Sequence, residues 1–262
     1  MSLSMVRSSQ SITATNLANE PKKPTKRARI LGVLFRLCMA AVIWGTVLIV
    51  VRADRVIPPQ WNPLSSLDVT EPVTLITNWR LEQALKSPET CIAALNTAGT
   101  FDVLSDFEPS EKCHIRPRID LAGVGGSRLR KVETTCAIGL RMAMWEQHSL
   151  QPAAAELLDT TVTGIDHIGS YNCREIRSTS GSTGRMSTHA TAEAIDIAGF
   201  QFADGSSTKL LDDWTAGDAN AAFLRAARDG ACDWFRLTLS PDYNKLHADH
   251  FHIQSRGWGA CR

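Results

Sequence analysis

Residues 187–200 read STHATAEAIDIAGF, and residues 247–254 read HADHFHIQ. In the first stretch, Ile195 and Ile197 flank Asp196 with strict alternation, which is the pattern of a half-buried strand. This predicts a strand over 193–202 with an acid among isoleucines, and such an acid needs a partner. In the second stretch, a strand over 250–254 would project His250 and His252 to one face and send Phe251 into the core. His189 precedes the first strand and can fold back to the same point. An H-x6-D motif and a D-H-x-H motif are thus delivered together by two strands of one sheet.

Imidazoles and a carboxylate converging on one point suit Zn²⁺. Three protein ligands leave a fourth position for water, which is the catalytic arrangement, whereas structural sites close with four ligands. Bound water then has a pKa of roughly 7. Asp249, beside the histidine pair and not needed as a ligand, is the candidate general base. The competing reading makes Asp249 and His250 a structural hydrogen-bonded pair. His114, His148 and His167 are scattered and read as surface or satisfied core residues.

Around these motifs the chain reads as α+β. Residues 78–99 predict two short helices parted near Ser87-Pro88, with Gly99 as a stop. Residues 101–131 read as irregular. Residues 134–149 predict a buried helix, and Pro152 opens another. Residues 161–169 predict a strand, 175–188 a Ser/Thr/Gly loop, and Asp204-Gly205 a hairpin leading to a strand near 207–211. A helix over 218–229 is capped by Asp218 or Asn220, with a further strand at 234–239. The expected architecture is helices packed on a small, mainly antiparallel sheet, preceded by one transmembrane helix.

The transmembrane helix is read from residues 30–51, ILGVLFRLCMAAVIWGTVLIVV, a 22-residue apolar run interrupted by Arg36. About 20 such residues span a bilayer, and Arg36 can snorkel to the near headgroups. Residues 1–52 carry eight Lys and Arg against one acid, Glu20, whereas the rest carries 20 basic and 26 acidic residues. The positive-inside rule puts the N-terminus in the cytoplasm and the remainder outside, across the inner membrane in the periplasm. A cleaved signal peptide, ending near Val51-Arg52-Ala53, is the competing reading. The expected organisation is a disordered basic tail over 1–29, an anchor over 30–52, a Pro-rich stalk over 53–72 and a domain over 73–262. The acidic bulk lacks the basic footprint of a nucleic-acid binder.

Seven cysteines support export. Cys38 lies in the apolar run. Cys91, Cys113, Cys136, Cys173, Cys232 and Cys261 make an even number without zinc-ribbon or CxxC spacing, which predicts three disulfides in an oxidising compartment. Nearness in sequence favours Cys91–Cys113.

The S-x-H-x6-D and D-H-x-H motifs resemble those of zinc peptidases acting on peptidoglycan, the D-Ala-D-Ala carboxypeptidase and lysostaphin-type group with its hedgehog-like fold. The resemblance implies His189, Asp196 and His252 as metal ligands of one Zn²⁺. It implies His250 as a group stabilising the transition state, and Asp249 as general base. It also points to Arg174 and Ser187 as holders of the substrate's carboxylate or carbonyl. For Arg174, an ion pair with a neighbour such as Glu175 competes with that role.

A closer resemblance is to the bacterial extensin-like C-terminal domain family, over roughly residues 85–262. It is carried by Trp145, Gln151-Pro152-Ala153-Ala154, Gly169-Ser170-Tyr171-Asn172-Cys173-Arg174, the stretch from Ser187 to Phe200, and Asp249-His250-Phe251-His252. Some anchored relatives resemble endopeptidases that open the wall for type VI secretion machines, so an envelope or secretion-machine partner is implied beside peptidoglycan itself. Two positions depart from the carboxypeptidase pattern. Ala192 stands where many relatives have Gly, and Gln254 lies near where relatives often have Asp. The implied activity is a zinc peptidase cutting stem peptides or crosslinks, with endopeptidase favoured over carboxypeptidase. The alternative is a catalytically inactive zinc-containing wall-binding module.

Overall fold

The computed structural model of the chain describes residues 25–52, 57–178 and 181–262. The basic tail expected over 1–29 lies outside the described residues except for its last five. The chain divides into two compact units, 1–53 and 54–262. In the first, helix α1 (Lys26–Val51) is apolar from Arg29 to Val50, long enough to cross a membrane or to act as a signal sequence.

In the second unit, α2 (Thr77–Ala84) and α3 (Pro88–Leu95) part at Ser87-Pro88, as predicted. The Ser87 hydroxyl accepts from Thr90 N at 3.3 Å, and Pro88 occupies the first turn, where its missing N–H is not needed. Strands β1 (Gly99–Val103), β2 (Phe107–Ser110), β3 (Cys113–Ile115), β4 (Arg118–Val124) and β5 (Ser127–Thr135) follow. The expectation that 101–131 is irregular is therefore wrong. Val124 pairs with Ser127, so Gly125-Gly126 forms a tight turn, with Gly125 at φ +53°.

Helix α4 (Cys136–Trp145) runs through a π-helical turn at Glu146–Leu150 into α5 (Gln151–Leu158). Then come β6 (Val162–Gly169), β7 (Glu175–Ser178), β8 (Gly181–Met186), β9 (Ala194–Phe202), β10 (Ser207–Lys209), the short α6 (Leu210–Asp213) and α7 (Ala219–Trp234). The chain closes with β11 (Leu237–Leu239), β12 (Phe251–Gln254) and β13 (Ala260–Cys261). The segment expected to be a loop over 175–188 holds the β7–β8 hairpin instead; Thr179 and Ser180 lie outside the described residues. Asp218 caps α7 by accepting from Ala221 N at 2.9 Å.

The fold is mixed α and β, but the sheet is larger than expected. It has nine strands in the order β1-β4-β5-β6-β9-β12-β11-β13, with β10 also paired to β9. All pairs are antiparallel except β5/β6 and β11/β13. Two further two-stranded sheets are β2/β3 and β7/β8. Trp145 anchors the core between sheet and helices, with its ring edge-on to Phe200 at 5.8 Å and its Nε1–H donating to the Ala227 carbonyl at 2.9 Å.

The second half of the expected stalk belongs to the domain. Leu67 and Val69 are buried in the main core, Val69 N–H donates to Thr97 Oγ1 at 2.9 Å, and Glu71 pairs with buried Arg80. Two apolar side chains at i and i+2 give this segment a face to bury, which outweighs its proline content.

Three disulfides form, as expected, but the favoured Cys91–Cys113 pairing is overturned. Cys91 bonds Cys136, Cys113 bonds Cys173 and Cys232 bonds Cys261. Cys91 on α3 faces the first residue of α4, whereas Cys113 on β3 faces the loop between β6 and β7. Closeness in sequence did not translate into closeness in space.

Candidate metal centre

The site is built on the pairing of β9 with β12. In that register Asp196 stands opposite His252, while Ile195 and Ile197 stand opposite Ile253 and Phe251. The apolar pairs face the core. Phe251 is fully buried, its ring edge-on to Trp214 at 5.7 Å. The polar pair is left on the other face, as the alternation predicted.

His189 reaches this pair from a 3-10 turn, Thr188–Thr191, capped by Ser187, whose hydroxyl accepts from His189 N at 3.3 Å. The turn closes at Ala192 with φ +48°, a left-handed conformation that favours glycine. The departure at this position thus places an alanine where a glycine would sit without strain. Ala192 is held there by its carbonyl, which accepts from Thr134 and Thr135, each at 3.2 Å.

His189, Asp196 and His252 converge, with donor atoms all within 4.8 Å of one another. His252 Nδ1 lies 2.8 Å from Asp196 Oδ1, and His189 Nε2 lies 3.2 Å from the same oxygen and 3.1 Å from His252 Nδ1. Tetrahedral zinc with bonds of about 2.0–2.1 Å needs ligand atoms roughly 3.3 Å apart. Two imidazoles and one carboxylate at this spacing fit Zn²⁺ in chemistry and in scale.

The surroundings fix the tautomer of His189. Its Nδ1 is 2.6 Å from the Ser170 carbonyl, which can only accept, so Nδ1 carries the proton and Nε2 presents its lone pair to the site. His252 Nε2 is 2.6 Å from the Gln254 side-chain amide. An amide, unlike a carboxylate, can turn its oxygen or its nitrogen to the ring. With the oxygen turned inward, Nε2–H donates to it and Nδ1 is free to ligate.

Burial pushes the Asp196 carboxyl upward, but hydrogen bonds and charge from His189 and His252 outweigh it and hold the group well below the usual carboxylate range. Burial pushes His252 downward, and positive charge on His189 and His250 adds to this, against the opposing pull of Asp196. Both shifts favour the forms a metal needs, an ionised carboxylate and a neutral imidazole.

His250 precedes β12. Its Nδ1–H donates to Asp249 Oδ1 at 2.7 Å, and its Nε2 lies 3.7 Å from Asp196 Oδ1. Asp249 itself is exposed. The two predicted catalytic residues are thus hydrogen-bonded to each other, the contact that the competing structural-pair reading also expects, with His250 between Asp249 and Asp196. Ser187 is at the site but its hydroxyl serves the cap. The Arg174 guanidinium donates to the Glu175 carbonyl at 3.2 Å and makes no contact with the cluster.

Sequence reasoning gave no role to His247. Its ring lies 5.2 Å from that of His250 and 5.8 Å from that of His252, and its Nδ1–H donates to Asn244 Oδ1 at 2.8 Å. Burial, with charge on His252 and His250, brings its pKa down to about 4. The signal was the run H-A-D-H-F-H, whose first histidine falls on a short 3-10 turn, Lys245–His247, rather than on the strand. Ser170 was also missed, because it acts through its backbone carbonyl.

The sequence profile of one family, described as extensin-like protein C-terminus, matches residues 89–262. No curated protein and no solved structure matches the chain.

Proposed function

The chain belongs to the extensin-like protein C-terminus family, and we propose that it is a zinc peptidase hydrolysing peptidoglycan stem peptides or crosslinks. The observation that carries this reading is the convergence of His189, Asp196 and His252 on one point, with His250 Nε2 3.7 Å from Asp196 and Asp249 hydrogen-bonded to the other nitrogen of that ring. The endopeptidase form is favoured over the carboxypeptidase by the resemblance to anchored wall-opening relatives.

His189 Nε2, Asp196 Oδ1 and His252 Nδ1 would hold the ion. Zinc bound there would supply Lewis acidity and a water with a pKa of roughly 7. Asp249 commits one oxygen to His250 and leaves the other to take the proton of the attacking water. The water oxygen bonds to the scissile carbonyl carbon, the C–N bond breaks, and the leaving amine takes the proton from Asp249. His250, oriented by Asp249, would stabilise the developing negative charge through an Nε2–H, with Nδ1–H kept on Asp249.

The compartment reading joins this. Three disulfides support an oxidising space, and α1 with its basic flank supports a membrane anchor whose N-terminus is cytoplasmic. The enzyme then works on wall close to the inner membrane.

The test is a digest of intact Gram-negative peptidoglycan by the zinc-loaded full chain in detergent, with products resolved by mass spectrometry. Loss of crosslinked dimers is expected, slowed about 10²–10⁴-fold in Asp249→Ala with zinc stoichiometry unchanged. Release of terminal D-Ala alone would make it a carboxypeptidase. No product from either protein, each holding one zinc, would replace the enzyme with a wall-binding module.

A further inference from the structure

The start of the second unit exposes an apolar face that the proposed reaction does not use. Leu75 is 93% exposed, Leu64 64%, Val73 53%, Trp61 48% and Trp79 46%. These residues share one neighbourhood. The Thr74 hydroxyl donates to the Gln60 carbonyl at 3.0 Å, which joins the Trp61 segment to the Val73–Leu75 segment. Leu64 and Trp79 line one groove together with Pro63 and Ala93. The acids of the segment are neutralised or engaged, Glu71 by Arg80 and Asp68 by Thr70. Five large apolar side chains in one neighbourhood, two of them tryptophan, form a surface that water does not favour.

The chain's own length selects the occupant. The apolar helix ends at Val51, and five peptide steps separate Arg52 from Ile57. At ~3.3–3.6 Å per residue that stretch reaches at most about 18 Å. One residue separates Ile57 from the Pro59–Trp61 turn, so Trp61 stands within four residues of the tethered end of the domain. Tryptophan is the side chain that prefers the bilayer–water boundary, with an apolar ring and one N–H for the headgroups.

We propose that the face formed by Trp61, Leu64, Val73, Leu75 and Trp79 docks on the lipid surface of the membrane that α1 enters. Tether and face together hold the domain against the bilayer in one orientation rather than letting it swing. The proposal rests on the anchor reading, and it stands or falls independently of the peptidase.

The full chain is reconstituted in nanodiscs and carries one nitroxide label per sample. Three positions are compared: native Cys38, Leu75→Cys in a Cys38→Ala background, and Asp204→Cys in the same background. Cys38 is the one free cysteine and is exposed on α1, and Asp204 lies in the β9–β10 turn. Collision with oxygen reports lipid, and collision with a nickel chelate reports water. The expected result is a Leu75 label shifted toward oxygen, close to the Cys38 label, with Asp204 on the water side.

A water-facing Leu75 beside a lipid-facing Cys38 overturns the docking and leaves the anchor standing. A mature chain lacking Cys38, or a Cys38 label in water, removes the anchor and overturns both. A Leu75 label shielded from both reagents means protein covers the face, and one no different from Asp204 means the face has no preference. Either result overturns the proposal.

Discussion

Glu146 and Asp196 are carboxylates withdrawn from solvent in the same domain, and their surroundings differ in kind. Glu146, in the π-helical turn, accepts from Gly126 N at 3.0 Å, Ser127 Oγ at 2.8 Å and Gln151 Nε2 at 2.7 Å, all on Oε1. Every one of these donors is neutral and fixed by its own backbone or packing. The β4–β5 turn is shaped around the acid, since a Cβ on Gly125 would collide with Glu146 Oε2. Asp196 is faced by His189, His252 and His250, whose rings cannot all be charged at once without repelling. Glu146 Oε1 is met by fixed neutral donors, while Oε2 is buried against Gly125 without a hydrogen-bond partner among the described residues, an arrangement that braces the turn. Asp196 lies beside His189 and His252, and in the proposed reading its carboxylate and their lone pairs would together hold a cation.

The strongest way to break this contrast is to remove each acid's function separately. Glu146→Ala removes the acceptor shared by three donors. Ser127 Oγ and Gln151 Nε2 keep the Val162 carbonyl, and Gly126 N lies in an exposed turn, so the cost is that of about one lost buried hydrogen-bond set rather than three. The expected loss is about 1–3 kcal/mol of folding stability, read by denaturant melts, with zinc stoichiometry per folded chain unchanged. A Glu146→Ala protein that melts normally but fails to bind zinc would merge the two regions and undo the comparison.

A smaller effect sharpens the Asp196 side. Gln254 touches His252 and nothing else in the cluster. Gln254→Ala is expected to weaken zinc binding about 10–100-fold with little change in the apo melting midpoint. Gln254→Glu restores the acceptor and with it the affinity. Competition with a chromophoric chelator reads both. Equal affinity in all three proteins would mean that the ring is positioned by the strand alone.

The same contrast explains what could be read from the sequence. The Asp196 region was legible because alternation on β9 and β12 sets side-chain direction residue by residue, and an acid between isoleucines violates it visibly. The Glu146 region was not, because its donors come from a turn, a strand and a helix at sequence separations that no local pattern records. The β4–β5 hairpin was missed for a related reason. In Ser127–Thr135 the exposed positions include Arg128, Arg130, Lys131 and Glu133, and this charge hid the buried Leu129, Val132 and Thr134. His247 and the Ser170 carbonyl were hidden because one lies on an irregular turn and the other acts through the backbone. The disulfides needed three-dimensional proximity, which six cysteines and their spacings do not encode.

The smallest expected effect concerns protons at the Glu146 end. His148 shares the π-helical turn with Glu146, and its Nε2–H donates to the Val69 carbonyl at 2.8 Å. Burial lowers its pKa, against a smaller opposing effect of that carbonyl. The folded pKa is thus below the unfolded value of about 6.5, so the unfolded chain binds more protons in this range and stability rises with pH. The contribution is whole above about pH 6.5 and is lost as pH falls from there toward the folded pKa. One histidine gives a slope of at most about 1.4 kcal/mol per pH unit. His148→Gln retains an N–H for Val69 and cannot titrate. Relative to wild type, its melting midpoint is expected to improve as pH is lowered from 8 to 5.5, by the same amount with zinc or with chelator. His252 and the neighbouring His247 are shifted in the same direction, but under the proposed zinc reading protonation of His252 would compete with the ion, so its share of the acid loss would depend on zinc. A His148→Gln difference that vanished on adding zinc would show that the two ends of the domain titrate as one system, and the separation between a bracing acid and a metal-binding acid would no longer hold.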